Sequence, residues 1–148
     1  MSAKQLGLAA LPATMKELLE DWPRSLEVAA RVQHVFLERG QGAIVDEGSS
    51  RALAPVPHPG SCRDGYAFRQ HVATARRNRG VEMIPEFDQF PVFYFTNHRG
   101  IVGEGEVAVE ADHLQQLDFE LEAAIVIGRE GRNIEAGDAD GYIAGYTV

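Results

Sequence analysis

The chain has 148 residues, 45% hydrophobic and 24% charged, with 14 Lys and Arg against 22 Asp and Glu for a formal net charge of −8. That length leaves room for one sizeable core, and 15 Gly with 7 Pro excludes a collagen-like or low-complexity chain. The acidic balance argues against a nucleic-acid partner, because phosphate contacts need a surplus of Lys and Arg. No apolar run approaches the about 20 residues of a membrane helix. The single cysteine, Cys62, excludes an internal disulfide, fits a reducing compartment such as the cytoplasm, and is read as structural.

In chain order, Thr14 and Glu17 form a capping-box pair ahead of Met15, Leu18, Leu19 and Trp22 at helical spacing, and Pro23 is expected to end that helix. A second helix starts near Ser25, carries Val28, Val32, Val35 and Phe36 on one stripe, and stops at Gly40. Paired short helices of this kind suggest a partner surface, and so a homodimer. Residues 54–65 are rich in proline and glycine and mark the main organisational boundary. Residues 64–79 read as a helix ending at Gly80, with Asp64 as its N-cap and arginines gathered toward its C-terminal end. Strands are expected at 92–96, 106–110, 119–127 and 142–148, with a short helix near 136–140. No internal repeat is visible.

Two clusters could carry chemistry. In Asp118-Phe119-Glu120-Leu121-Glu122, strand alternation projects Glu120 and Glu122 to one side, and the following Ala-Ile-Val-Ile has the composition of a strand buried on both faces. Carboxylates so spaced either form a solvated edge or hold a hard cation such as Mg²⁺ or Ca²⁺; without a Cys/His cluster, structural zinc is disfavoured. In the second cluster His71 follows Asp64 by seven residues, two turns along the expected helix. A histidine can take and return a proton near neutral pH, although a single one is more often structural. His34, His58, His98 and His113 are given no role. The glycines at 100, 103 and 105 lack a nucleotide-binding register and read as turns, and no Gly-x-Ser-x-Gly elbow is present.

Four segments in order, Arg-Asp-Gly-Tyr-Ala-Phe-Arg-Gln-His at 63–71, Phe-Pro-Val-Phe-Tyr-Phe-Thr-Asn at 90–97, Asp-Phe-Glu-Leu-Glu-Ala-Ala-Ile-Val-Ile-Gly at 118–128 and Tyr-Ile-Ala-Gly-Tyr-Thr-Val at 142–148, resemble the fumarylacetoacetate hydrolase family. The resemblance implies an α+β chain in which a helical lead-in over residues 1–54 precedes the first part of a mainly β, β-roll catalytic domain over residues 55–148. It implies a cytoplasmic enzyme of aromatic-compound catabolism that hydrolyses a carbon-carbon bond in 1,3-diketo acids of the fumarylacetoacetate or acylpyruvate type. Carried over by position, Asp64, Glu120 and Glu122 would be ligands to Mg²⁺, Ca²⁺ or Mn²⁺, His71 the catalytic base, and Tyr66 and Tyr94 aromatic groups beside the substrate. The alternatives are a 2-oxo acid decarboxylase or hydratase/isomerase using the same site, an inactive fragment, or a metal-binding interaction module. Gly65 departs from the family pattern, which usually has an aromatic residue there. A further Asp ligand and a lysine of the family pattern would fall after Val148, so the sequence is expected to be the N-terminal part of a longer protein.

Overall fold

The computed structural model describes residues 3–40 and 46–148; the parts of the 1–54 lead-in at 1–2 and 41–45 lie outside the described residues. Contacts divide the chain into two compact units, Met1–Pro57 with Val102–Val148, and His58–Ile101. The architecture is α+β, with helices and two small antiparallel sheets among the described residues.

In the first unit, helix α1 spans Met15–Glu20. Its capping box forms as the sequence predicts: the Glu17 amide donates to Thr14 Oγ1 at 3.2 Å, and the Thr14 amide donates to Glu17 Oε2 at 3.3 Å. Helix α2 spans Arg24–Arg39 with Pro23 as its N-cap, so Pro23 opens α2 after α1 has already ended. The Pro23 carbonyl accepts from the Leu26 and Glu27 amides, the bonds of a first helical turn, which a proline can begin without needing its own N–H. Between the helices, buried Ser25 donates its hydroxyl to the Leu18 carbonyl at 2.6 Å, a bond worth about 1 kcal/mol net. Gly40 closes α2 at φ +60°, the left-handed cap that its missing side chain permits.

The same unit holds strands β3 (Ala124–Ile127) and β4 (Ile143–Thr147), whose register pairs Ala124 with Thr147, Ile125 with Tyr146, Val126 with Gly145 and Ile127 with Ile143. The step from Gly145 to Ile143 skips Ala144 and makes a β-bulge on β4. Just past β3, buried Gly128 allows a close approach: a Cβ there would lie 2.8 Å from Ala144 Cβ and 3.1 Å from Trp22 Cγ. Trp22 therefore joins the helical lead-in to the β3/β4 sheet without intervening side-chain bulk. A 3-10 helix, Ala136–Tyr142, leads into β4 where a short helix is expected.

Two expectations for this unit are corrected. Residues 106–110 form no strand, because β-branched composition without a ladder partner does not make one. The Ala-Ile-Val-Ile run does form β3, but Ile125 and Ile127 on one face are 56% and 62% exposed and Val126 on the other is only half-buried, so the strand is not buried on both faces as the composition suggests. One ladder partner is enough to define the strand, whereas burying its faces takes a second layer that the described residues do not provide.

In the second unit, strands β1 (Arg63–Gly65) and β2 (Phe93–Phe95) pair antiparallel, with Arg63 opposite Phe95, Asp64 opposite Tyr94 and Gly65 opposite Phe93. Two further bonds, Thr96 amide to Cys62 carbonyl and Tyr66 amide to Val92 carbonyl, each 3.2 Å, carry the ladder beyond both ends. Helix α3 spans Arg69–Asn78 and is anchored by Val72, which is 2% exposed. The helix expected to start at Asp64 thus begins five residues later, because residues 63–66 are committed to the ladder. Its other end agrees with expectation, with Arg76 and Arg77 in the last turn and Gly80 at φ +69°.

Candidate active site

A strand alternates its side chains with a period of two, and the β1/β2 register turns that rule into a separation of chemistry. Asp64 and Tyr94 face one side, which Tyr66 shares two residues along the ladder. Arg63, Phe93 and Phe95 face the other. On the first side the Tyr94 hydroxyl donates to Asp64 Oδ2 at 2.5 Å, at the short end of the range for hydroxyl-to-oxygen hydrogen bonds. Asp64 is half-buried, while Tyr66 and Tyr94 are open to solvent. On the second side the Arg63 guanidinium lies 4.8 Å from the Phe95 ring centroid and 5.8 Å from that of Phe93, and the two rings meet edge to face. Gly65 belongs to that aromatic side. A Cβ there would make only ordinary contact, 3.8 Å from the Val92 carbonyl, so the missing aromatic residue changes the Arg63 face and not the Asp64 face.

The structure therefore gathers Asp64, Tyr66 and Tyr94 on one sheet face. Asp64 reaches that face as a strand residue and not as a helix cap, and the expected two-turn relation to His71 does not exist. His71 is the third residue of α3 and is exposed. The start of this helix is tied down by Arg69, whose Nε and Nη2 donate to the two oxygens of Asp88 at 3.0 and 3.2 Å. That hydrogen bond holds the Asp88 carboxyl below the usual carboxylate range and raises Arg69 further.

Glu120 and Glu122 belong to the other unit, exposed and in a stretch without regular structure that ends where β3 begins at Ala124. Their expected placement by strand alternation is corrected: the ladder starts after them and does not set their direction. Neighbouring Asp118 accepts a bond from the Phe119 amide at 2.8 Å. Among the described residues no group of three His, Cys, Asp or Glu side chains is assembled around a common point. The donor chemistry nevertheless suits a hard divalent cation. Asp64, Glu120 and Glu122 offer carboxylate oxygen only, and one hydroxyl bond leaves Asp64 further lone-pair capacity.

Sequence reasoning missed two features, the Tyr94–Asp64 bond and the Arg63–phenylalanine stack. The alternation within Phe-Tyr-Phe at 93–95 contains half of the signal, since it separates Tyr94 from its neighbours. The other half is the register with β1, which local sequence does not encode. No helix among the described residues is long and apolar enough to cross a membrane.

Comparison with known proteins agrees with these segments. The chain is 31% identical over 93% of its length to "Oxaloacetate tautomerase FAHD2A, mitochondrial" of Homo sapiens, of which it covers 40%. It is 30% identical, over the same share of each chain, to "Fumarylacetoacetate hydrolase domain-containing protein 2" of Pongo abelii. At 26% identity over 73% of this chain it also matches 25% of the "Homoprotocatechuate catabolism bifunctional isomerase/decarboxylase" of Escherichia coli. The chain thus spans about 40% of the length of the first two relatives. No solved structure matches it. The profile described as "Fumarylacetoacetate (FAA) hydrolase C-terminal" matches residues 61–148, more than half of the chain and the stretch that holds every candidate site residue, and the chain belongs to that family.

Proposed function

We propose that this chain supplies part of a cation-dependent active site for small 2-oxo acids, whose reaction is hydrolysis of a carbon-carbon bond in a 1,3-diketo acid during aromatic-compound catabolism. The observation that carries the reading is the half-buried Asp64 carboxylate, fixed by the β1/β2 register beside Tyr66 and Tyr94 in a chain of this family. Asp64, Glu120 and Glu122 are the residues that would hold Mg²⁺, Ca²⁺ or Mn²⁺. When bound, such a cation polarises a carbonyl oxygen and stabilises the negative charge that develops as the bond breaks. His71 takes a proton from water at its imidazole and returns it to the departing carbon. Tyr66 and Tyr94 line the substrate side. The two sheets belong, in this reading, to a β-roll catalytic domain over residues 55–148 with a helical lead-in over 1–54. A cytoplasmic homodimer completes the proposal, supported by the free Cys62 and by exposed apolar side chains such as Leu26 and Leu37 on α2.

A second reading is favoured by the relatives' names, which describe an oxaloacetate tautomerase and an isomerase/decarboxylase. These reactions can begin from the same chelated 2-oxo acid and differ in which bond next to the carbonyl is made or broken. The test is turnover of an acylpyruvate and of oxaloacetate by the full chain, for wild type and His71→Ala. Loss of about 10²-fold or more in acylpyruvate cleavage is expected, and unchanged turnover removes His71 as the base. Oxaloacetate turnover that exceeds acylpyruvate cleavage and depends equally on His71 selects the second reading. Calorimetry of Glu120→Gln/Glu122→Gln should show lost Mn²⁺ binding, and retained affinity removes both glutamates from the site.

A further inference from the structure

Resting on the cation reading above, we infer that Tyr94 is a positioning residue for Asp64: it fixes that carboxylate in the orientation a divalent cation meets, rather than acting primarily on the substrate. Tyr94 stands directly opposite Asp64 in the ladder, and its hydroxyl reaches Asp64 Oδ2 at 2.5 Å. Both backbones are therefore set by the sheet before the side chains meet. A tyrosine ring has two rotatable bonds and little freedom to lose, so the hydroxyl restrains the carboxylate at small entropic cost.

A phenol has one O–H donor. While that proton is given to Asp64, it is not available to a substrate carbonyl, and contact with substrate is left to the ring face and the oxygen lone pairs. Phe93 and Phe95 cannot substitute for Tyr94 in this role, because the strand directs them to the Arg63 side and neither carries a donor.

The experiment is a double-mutant cycle in the full chain, with Mn²⁺ affinity read by calorimetry and KM for an acylpyruvate read at saturating Mn²⁺. Tyr94→Phe removes one oxygen from a side chain that is 54% exposed, so the fold should be retained, with far-UV circular dichroism as the control. We expect Tyr94→Phe to weaken Mn²⁺ about tenfold, as loss of a group that orients a ligand does, a larger fold-change than any it makes in KM once Mn²⁺ is saturating. In an Asp64→Ala background the same change should alter Mn²⁺ affinity less than about twofold, since sites acting through one another are not additive. If Asp64→Ala weakens Mn²⁺ but Tyr94→Phe does not, or if Tyr94→Phe raises KM at saturating Mn²⁺ with affinity intact, Tyr94 serves the substrate and the positioning role is overturned. If Asp64→Ala leaves Mn²⁺ affinity unchanged, the cation reading itself has failed and this inference falls with it.

Discussion

The β1/β2 and β3/β4 pairs are both small antiparallel ladders, but they are held and used differently. In β1/β2 the strands are three residues long, and the interactions that define them are directional: a hydroxyl on a carboxylate on one face and a guanidinium over two rings on the other. In β3/β4 the strands are longer and apolar, carry a bulge, and close against Trp22 where Gly128 leaves space. The candidate acids follow this difference. Asp64 lies within its ladder and is fixed by it, whereas Glu120 and Glu122 precede theirs and receive no direction from it. A carboxylate's proximity to a strand in sequence is thus a poor guide to its orientation; membership in the ladder is what sets it.

The largest effect expected from breaking this comparison comes from Gly128. A methyl group there must displace Ala144 or the Trp22 ring, and overpacking of this kind costs about 1–3 kcal/mol. Gly128→Ala should lower the denaturation midpoint and shift the emission of Trp22, the single tryptophan of the chain. Wild-type stability and emission in Gly128→Ala would show that close packing does not hold the β3/β4 region.

The same contrast explains what could be read from sequence. The Thr14 capping box and the Gly40 cap were legible because each is set by residues within a few positions of one another, and β3 and β4 because their own apolar and β-branched composition marks them as strands even though they pair across 16 to 23 positions. The strand at Asp64 was not, since its partner Tyr94 is 30 positions away. An Asp ahead of an arginine-rich, helix-compatible stretch is a strong local cap signal, and here tertiary pairing overrode it. The expected placement of Glu120 and Glu122 on a strand fails for a related reason: the ladder holds its first residue at Ala124, downstream of both. Membership in the family was legible because it rests on four segments in order, even though the geometry assigned to two of them had to be corrected.

A smaller effect is expected on the aromatic face of β1. Arg63→Ala removes a cation from over Phe95 and Phe93, a contact worth about 0.5–1 kcal/mol at an exposed site, and should lower stability by that amount. Because the strand separates Arg63 from Asp64, Mn²⁺ affinity should stay within about twofold of wild type, the spread expected for independent sites. An affinity loss as large as that of Tyr94→Phe would mean that the two faces are coupled and that the alternation does not divide the chemistry.

The smallest effect belongs to the Arg69–Asp88 pair at the start of α3, and pH distinguishes it from the others. Both side chains are more than half exposed, so water and salt screen the pair. The sign of its contribution is fixed all the same. Its hydrogen bond to Arg69 lowers the folded-state pKa of Asp88 below the unfolded value, so the stabilisation is fully present above the unfolded pKa, about 3.9. It is lost as pH falls through the lower folded value. Arg69 stays protonated throughout and adds no dependence of its own in this range. Asp88→Asn should therefore be slightly less stable than wild type at neutral pH, with the difference closing as pH falls below about 4 and narrowing in 1 M NaCl. A difference that stays constant from neutral pH to pH 2 would show that Asp88 acts through packing, and the polar account of how the β1/β2 unit is held would then lose the member that ties α3 into it.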